Sequence, residues 1–200
     1  MRFYSTTFLT ILAILLSSTA WSADFDAGQK AYNSGDYETA LNEWQPLAET
    51  GHVTAQFSLG LMYANGFGVP FDNEQALKWY RLAADQGNGD AQCNLGVMYA
   101  NGWGVPQSDE SAFEWYSRAA EYGVTEAQLN IARMYLHGFG IEESKVQAHK
   151  WFSIAVTLGD IGAKVKRDDI AKKLQADELE ESNLLVEMWM QKHENLLASQ

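Results

Sequence analysis

The chain has 200 residues, 46% hydrophobic and 20% charged, with 26 Asp and Glu against 14 Lys and Arg, for a net charge of −12. That is a globular composition, long enough for one domain of roughly 100–200 residues, and residues 24–141 alone hold 15 acids and 5 bases, net −10. A phosphate backbone is gripped by clustered Lys and Arg, so this acidity argues against a nucleic-acid role; it serves solubility first and attraction of a basic partner second.

The amino terminus carries Arg2, an apolar run from Phe8 to Leu16 and small residues over Ser17–Ala23. This reads as a secretory signal over residues 1–22, cleaved after Ala20 or Ser22. The run is too short to span a bilayer, which takes about 20 apolar residues, so a periplasmic or secreted protein with no membrane span after cleavage is expected. The competing reading is a buried amphipathic first helix, which Phe8–Leu16 does not favour. Cys93 is the only cysteine, so the exported domain must hold together by packing.

Residues 23–51 resemble a helical hairpin, Phe25–Tyr32 and Tyr37–Glu49, with Gly35 in the turn and Asp36 capping the second helix. Beyond it the text repeats every 36 residues: Ala55, Ala91, Ala127; Tyr63, Tyr99, Tyr135; Gly66, Gly102, Gly138; Trp79, Trp115, Trp151. A fixed period of this size marks stacked supersecondary units, divided as 52–87, 88–123 and 124–159. Within each, apolar residues at i, i+4 and i+7 give two helices. The first ends at Asn65-Gly66, Asn101-Gly102 or His137-Gly138. The second starts at Asp72, Ser108 or Ser144, with capping boxes expected for Asp72/Gln75 and Ser144/Gln147. Gly60 and Gly96 inside first helices imply close approach of a partner helix. Residues 160–200 lose the pattern and form the end of the stack, their last helix opened by Asp177 and Glu180. Trp44, in the shortened first unit, is expected to bury less than Trp115.

The string A-x-x-x-L-G-x-M-Y-x-x-G-x-G-V, followed about ten residues on by W-Y-x-x-A-A-x-x-G, resembles the Sel-1-like repeat, a branch of the tetratricopeptide superfamily. Residues 55–87 and 91–123 carry it nearly in full, and 127–159 with Ile131-Ala132, Ile141, Trp151-Phe152 and Ala155-Val156 as departures. The resemblance implies an all-α, right-handed α-solenoid of antiparallel helix pairs. Its first helices would line a concave groove, and its usual work is non-enzymatic scaffolding that binds a protein or peptide segment. A monomer is expected. Some exported relatives are described as binding or hydrolysing β-lactams, which makes a cell-wall-related hydrolase the alternative, but those relatives are cysteine-paired and this chain is not.

Chemistry is sparse. His52, His137, His149 and His193 lack metal-site spacing and read as surface or capping side chains. Cys93 has Phe57 and Leu129 as repeat counterparts, and no histidine in its repeat could serve as a base. No catalytic set, cofactor or metal is implied. Concave positions carried over from the superfamily include Phe57, Leu61, Asn65, Val97, Asn101, Arg133 and His137, an apolar groove edged by an Asn-Asn-His row. The residue between the two loop glycines is aromatic in every copy: Phe67, Trp103 and Phe139. These either form a ladder beside the groove or fold back onto their own loops.

Overall fold

The computed structural model describes residues 23–194; the signal reading lies on residues 1–22, outside the described residues. The described chain is all-helical. A short hairpin, α1 (Phe25–Asn33) and α2 (Tyr37–Glu49), is followed by three pairs: α3 (Val53–Asn65) with α4 (Asn73–Asp85), α5 (Gly89–Asn101) with α6 (Asp109–Glu121), and α7 (Thr125–His137) with α8 (Lys145–Thr157). The last described helices are α9 (Ala163–Ala171) and α10 (Ala176–Lys192). Each helix packs on the next from α1 to α9, and α5 also touches α7. The molecule is an α-solenoid.

Local chemistry sets the helix ends. Asp24 accepts from the Asp26 and Ala27 amides, and Asp36 from Thr39. Asp72, Ser108 and Ser144 cap α4, α6 and α8. Asp72 and Ser144 make their side of the expected boxes, but the reciprocal box forms elsewhere, at the start of α10 between Gln175 and Glu178. That helix therefore opens at Ala176 and not at Asp177/Glu180, because Glu178 sits three residues beyond the cap and can reach back to its amide. Gly66, Gly102 and Gly138 close α3, α5 and α7 at φ 68°, 70° and 70°, a left-handed conformation that costs side chains strain and glycine almost none.

Burial follows the repeat. Ala55, Leu59 and Met62, then Ala91, Leu95 and Met98, then Ala127, Ile131 and Met134 line successive first helices in the core. A methyl group added at Gly60 would overlap the ring of Tyr80, and one at Gly96 would stand 2.5 Å from Tyr116 Cδ1; the close approach expected of these glycines is that of a tyrosine laid flat on the helix. A polar ladder accompanies them. Gln56, Gln92 and Gln128 are buried and donate from Nε2 to Ala48 O, Ala84 O and Ala120 O at 3.0, 3.0 and 3.3 Å. Each bond ties a first helix to the end of the preceding second helix.

Two expectations need correction. Trp44 is 1% exposed, as buried as any large side chain here. It packs over Gly28 and donates to Phe25 O at 3.2 Å. It stands 36 residues before Tyr80 and fills over Gly28 the place that Tyr80 fills over Gly60, so it belongs to the interior seam. His149 is buried rather than superficial. Its Nδ1 lies 2.8 Å from Ser182 Oγ, which donates to Val146 O at 3.1 Å, so the imidazole is the donor and fastens α10 to α8. Trp189 packs edge-on to Trp151 beside it.

Candidate functional site

The connector after each first helix reaches back one copy. A side chain at Gly68 would strike Cβ and the backbone of Tyr37; at Gly104 the carbonyl of Asn73; at Gly140 the backbone of Asp109. Glycine is required there because backbone lies against backbone. The aromatic residue between the two glycines is thereby set beside the first residue of the previous second helix, which is Tyr37, Asn73 or Asp109.

That neighbour makes the three rings unequal. Phe67 stacks parallel on Tyr37, centroids 4.8 Å apart at 4°, and meets Tyr32 edge-on. Trp103 and Phe139 have no such cover and are 49% and 52% exposed; Phe139 has the His137 ring at 5.5 Å. The rings therefore do not form a uniform ladder. Phe67 is engaged in packing and the other two are available.

Beside Trp103 lies a cleft of about 520 Å³, lined by Leu61, Ala64 and Asn65 of α3, Phe71, Asn73 and Tyr80 from the start and middle of α4, Asn94, Val97 and Met98 of α5, and Trp103 itself. Four of the sequence-predicted residues, Leu61, Asn65, Val97 and Trp103, are brought together here. A second cleft of about 550 Å³ joins Arg133 and His137 to Leu129, Leu136, Phe152, Asp160 and Lys166 near α9. Phe57 leans on Tyr80 at 5.9 Å. Asn101 and Phe139 line neither cleft. The amides of Asn65 and Asn101 donate back to Leu61 O and Val97 O, both at 2.8 Å, which leaves each side-chain carbonyl free of that bond. Arg133 Nη1 donates to Asn130 Oδ1 at 2.8 Å.

Phe71, Asn73, Asn94 and Tyr80 were not anticipated. Phe71 is 63% exposed, and its repeat counterparts are Gln107 and Glu143; the signal was the one apolar residue at a position that is otherwise polar.

Reactive chemistry is held down. Burial, reinforced by Glu126 and Asp90, pushes the Cys93 thiol up to about 12, so it stays protonated and inert. Burial also raises the phenols of Tyr80 and Tyr116. His52 accepts from the Ala55 amide and stacks on Phe25, acting as a cap. Among the described residues no group of three or more His, Cys, Asp or Glu could hold a metal ion, and no helix is long and apolar enough to cross a membrane.

An all-helical stack of near-identical pairs, keyed by paired glycines, defines a helical-repeat protein. The Sel1 repeat family matches residues 53–88, 89–123 and 125–160, and the chain belongs to that family. It is similar to the crystal structure of a Sel1 repeat protein from Oxalobacter formigenes, 30% identical with a TM-score of 0.70 over 72% of this chain and 59% of that one. It is also similar to c5321, a protective antigen present in uropathogenic Escherichia coli strains displaying an SLR fold, 27% identical with a TM-score of 0.52 over 88% and 46% of the two chains. The chain thus spans about half to three-fifths of these relatives. No curated protein matches it. Sel1 repeat proteins generally act as protein-interaction scaffolds.

Proposed function

We propose that this protein is an exported adaptor, periplasmic or secreted, that holds an extended segment of a partner protein along the face built by α3, α5 and α7. The observation that carries this reading is the apolar cleft of about 520 Å³ on that face, shared by two successive copies and walled by an exposed tryptophan. Concave, mostly apolar sites with a few polar groups are the usual form of a binding site. The acidic body supports a basic partner, and the amino-terminal pattern supports export. The low reactivity of Cys93 counts against a thiol hydrolase.

The test is a photo-crosslinking amino acid placed at Val97, on the proposed face, and separately at Glu114, exposed on α6. A defined partner trapped in cells from Val97 and not from Glu114 is expected. Equal trapping from both positions, or hydrolysis of a chromogenic β-lactam by the purified protein, would overturn the reading. Export is checked by the intact mass of protein from the producing cell, in which loss of the first 20 or 22 residues is expected.

A further inference from the structure

The first and second loop aromatics have different company at equivalent places. Phe67 is covered by the ring of Tyr37, stacked at 4.8 Å. Trp103 faces Asn73, which stands 36 residues after Tyr37 at the same first position of its helix. Where the first unit supplies a ring, the second supplies a short carboxamide and a cleft. The chain thus displays, one copy earlier, the kind of group that completes this surface.

We propose that the cleft between α3, α4 and α5 is an anchoring subsite for a single aromatic side chain, presented by an extended protein segment whose adjoining residues are basic. This rests on the adaptor reading above. The anchoring ring takes on Trp103 the place that Tyr37 takes on Phe67, among the apolar lining residues Phe71, Leu61 and Val97. Offset or edge-on ring pairs gain energy beyond the area they bury, and rigid rings lose little entropy on contact. The lining contains no charged residue, so a charged anchor would lose hydration without a counter-ion. Asn65, Asn73 and Asn94 in the lining offer donors and acceptors of the kind an extended backbone needs.

The basic flanks follow from the local charge. Between residues 54 and 105 the acids are Asp72, Glu74, Asp85 and Asp90, and the bases are Lys78 and Arg81. Both cations are engaged on rings: Lys78 over Trp79 at 5.1 Å, and Arg81 over Trp115 at 4.9 Å with a hydrogen bond to the Tyr99 hydroxyl. Asp72 adjoins the cleft through its neighbours Phe71 and Asn73. The net charge of this stretch is −2, and the Asp72 carboxylate, which caps α4, stands beside the cleft, so a segment with Lys or Arg beside its ring is attracted and an acidic one is repelled.

Asn73→Tyr tests this by filling the cleft with the ring the first unit already uses. The probes are the heptapeptide Lys-Lys-Gly-Phe-Gly-Lys-Lys, its versions with Ala for Phe or Glu for every Lys, and chitohexaose, titrated into the 15N-labelled protein while the Trp103 indole and Asn side-chain signals are followed. The Phe peptide is expected to shift Trp103, Asn65 and Asn94 at concentrations at least ten-fold below those the Ala and Glu versions require. Asn73→Tyr should abolish those shifts with an unchanged melting temperature. If Asn73→Tyr melts lower, Trp103→Ala carries the same comparison through the Asn signals. Equal response to the Phe and Ala peptides, or binding that survives both variants, overturns the subsite. So does chitohexaose shifting Trp103 where the Phe peptide does not. Crosslinking at Val97 distinguishes the levels: if it succeeds while these titrations fail, the adaptor stands without this anchor, and if it also fails, the adaptor reading falls with it.

Discussion

Gln86 donates its side-chain amide to Gln56 Oε1 at 2.7 Å, joining the end of α4 to the buried glutamine of α3. The same place in the next copies is held by Tyr122 and Leu158, and there the carbonyl oxygens of Gln92 and Gln128 are buried without a partner. One rung of the ladder is complete and two are half-made. Tyr122→Gln should complete the second rung and stabilise the protein by about 0.5–1.5 kcal/mol, the net worth of an ordinary hydrogen bond. Urea unfolding midpoints decide it, and a lower midpoint in the variant would contradict the account.

Trp44→Ala should destabilise at least as much as Trp115→Ala, by about 3–5 kcal/mol. Trp44 is 1% exposed against 6% for Trp115, and its loss opens space over Gly28 and breaks the bond to Phe25 O. Equilibrium unfolding of the two variants would expose an error if Trp44→Ala were the milder.

Gly96→Ala should be strongly destabilising although alanine is the better helix former by about 1 kcal/mol, because the added methyl meets the Tyr116 ring at 2.5 Å. The third copy carries Ala132 with Phe152 at the equivalent places, and Ala132 is fully buried, so Ala132→Gly should cost about 2 kcal/mol, the propensity difference plus the lost burial of one methyl. Thermal melts of the pair give opposite rankings if helix propensity governs instead.

His149 should make the packing of α10 pH-sensitive. Burial lowers its pKa below the ordinary value, with Arg167 adding to the effect and Asp168 opposing it. Glu187 also borders the cleft on this ring, and Asp168 is itself paired with Lys164 and Arg167 at 2.6 Å each. A histidine whose folded pKa is depressed binds a proton more readily when unfolded. Its stabilising contribution is therefore complete above about pH 6.5 and is lost as the pH falls below that. Wild-type protein should lose stability between pH 7 and pH 5 more steeply than His149→Phe, measured by urea midpoints across the range; parallel profiles would rule the residue out as the cause.

The periodic residues made most of the fold legible before the structure. Glycines at 66, 102 and 138 and the caps at 72, 108 and 144 set the ends of six helices. Legibility fell where the period broke. Trp44 stands 36 residues before Tyr80 and takes the same seat on a first-helix glycine, but only 16 residues separate it from Gly28 whereas 20 separate Gly60 from Tyr80, and the shortened unit hides the correspondence. The docking of α10 on α8 joins His149 and the periodic Trp151 to Ser182 and Trp189 of the last helix, which has no internal copy to compare. The first cleft was half visible for the same reason. Leu61, Asn65, Val97 and Trp103 come from conforming positions, whereas Phe71 and Asn73 matter because they differ from their counterparts.

The backward reach of each loop has a further consequence for the length of the protein. Gly68, Gly104 and Gly140 each rest on the helix start one unit earlier, so a loop finds its seat only if the spacing between units is intact. Adding or removing a few residues would turn a loop away from its seat and leave both the glycine and the helix start it covered facing solvent. Adding or removing all 36 would re-form every seat. Chain length in this stack is quantised, and with it the number of loop aromatics offered to a partner.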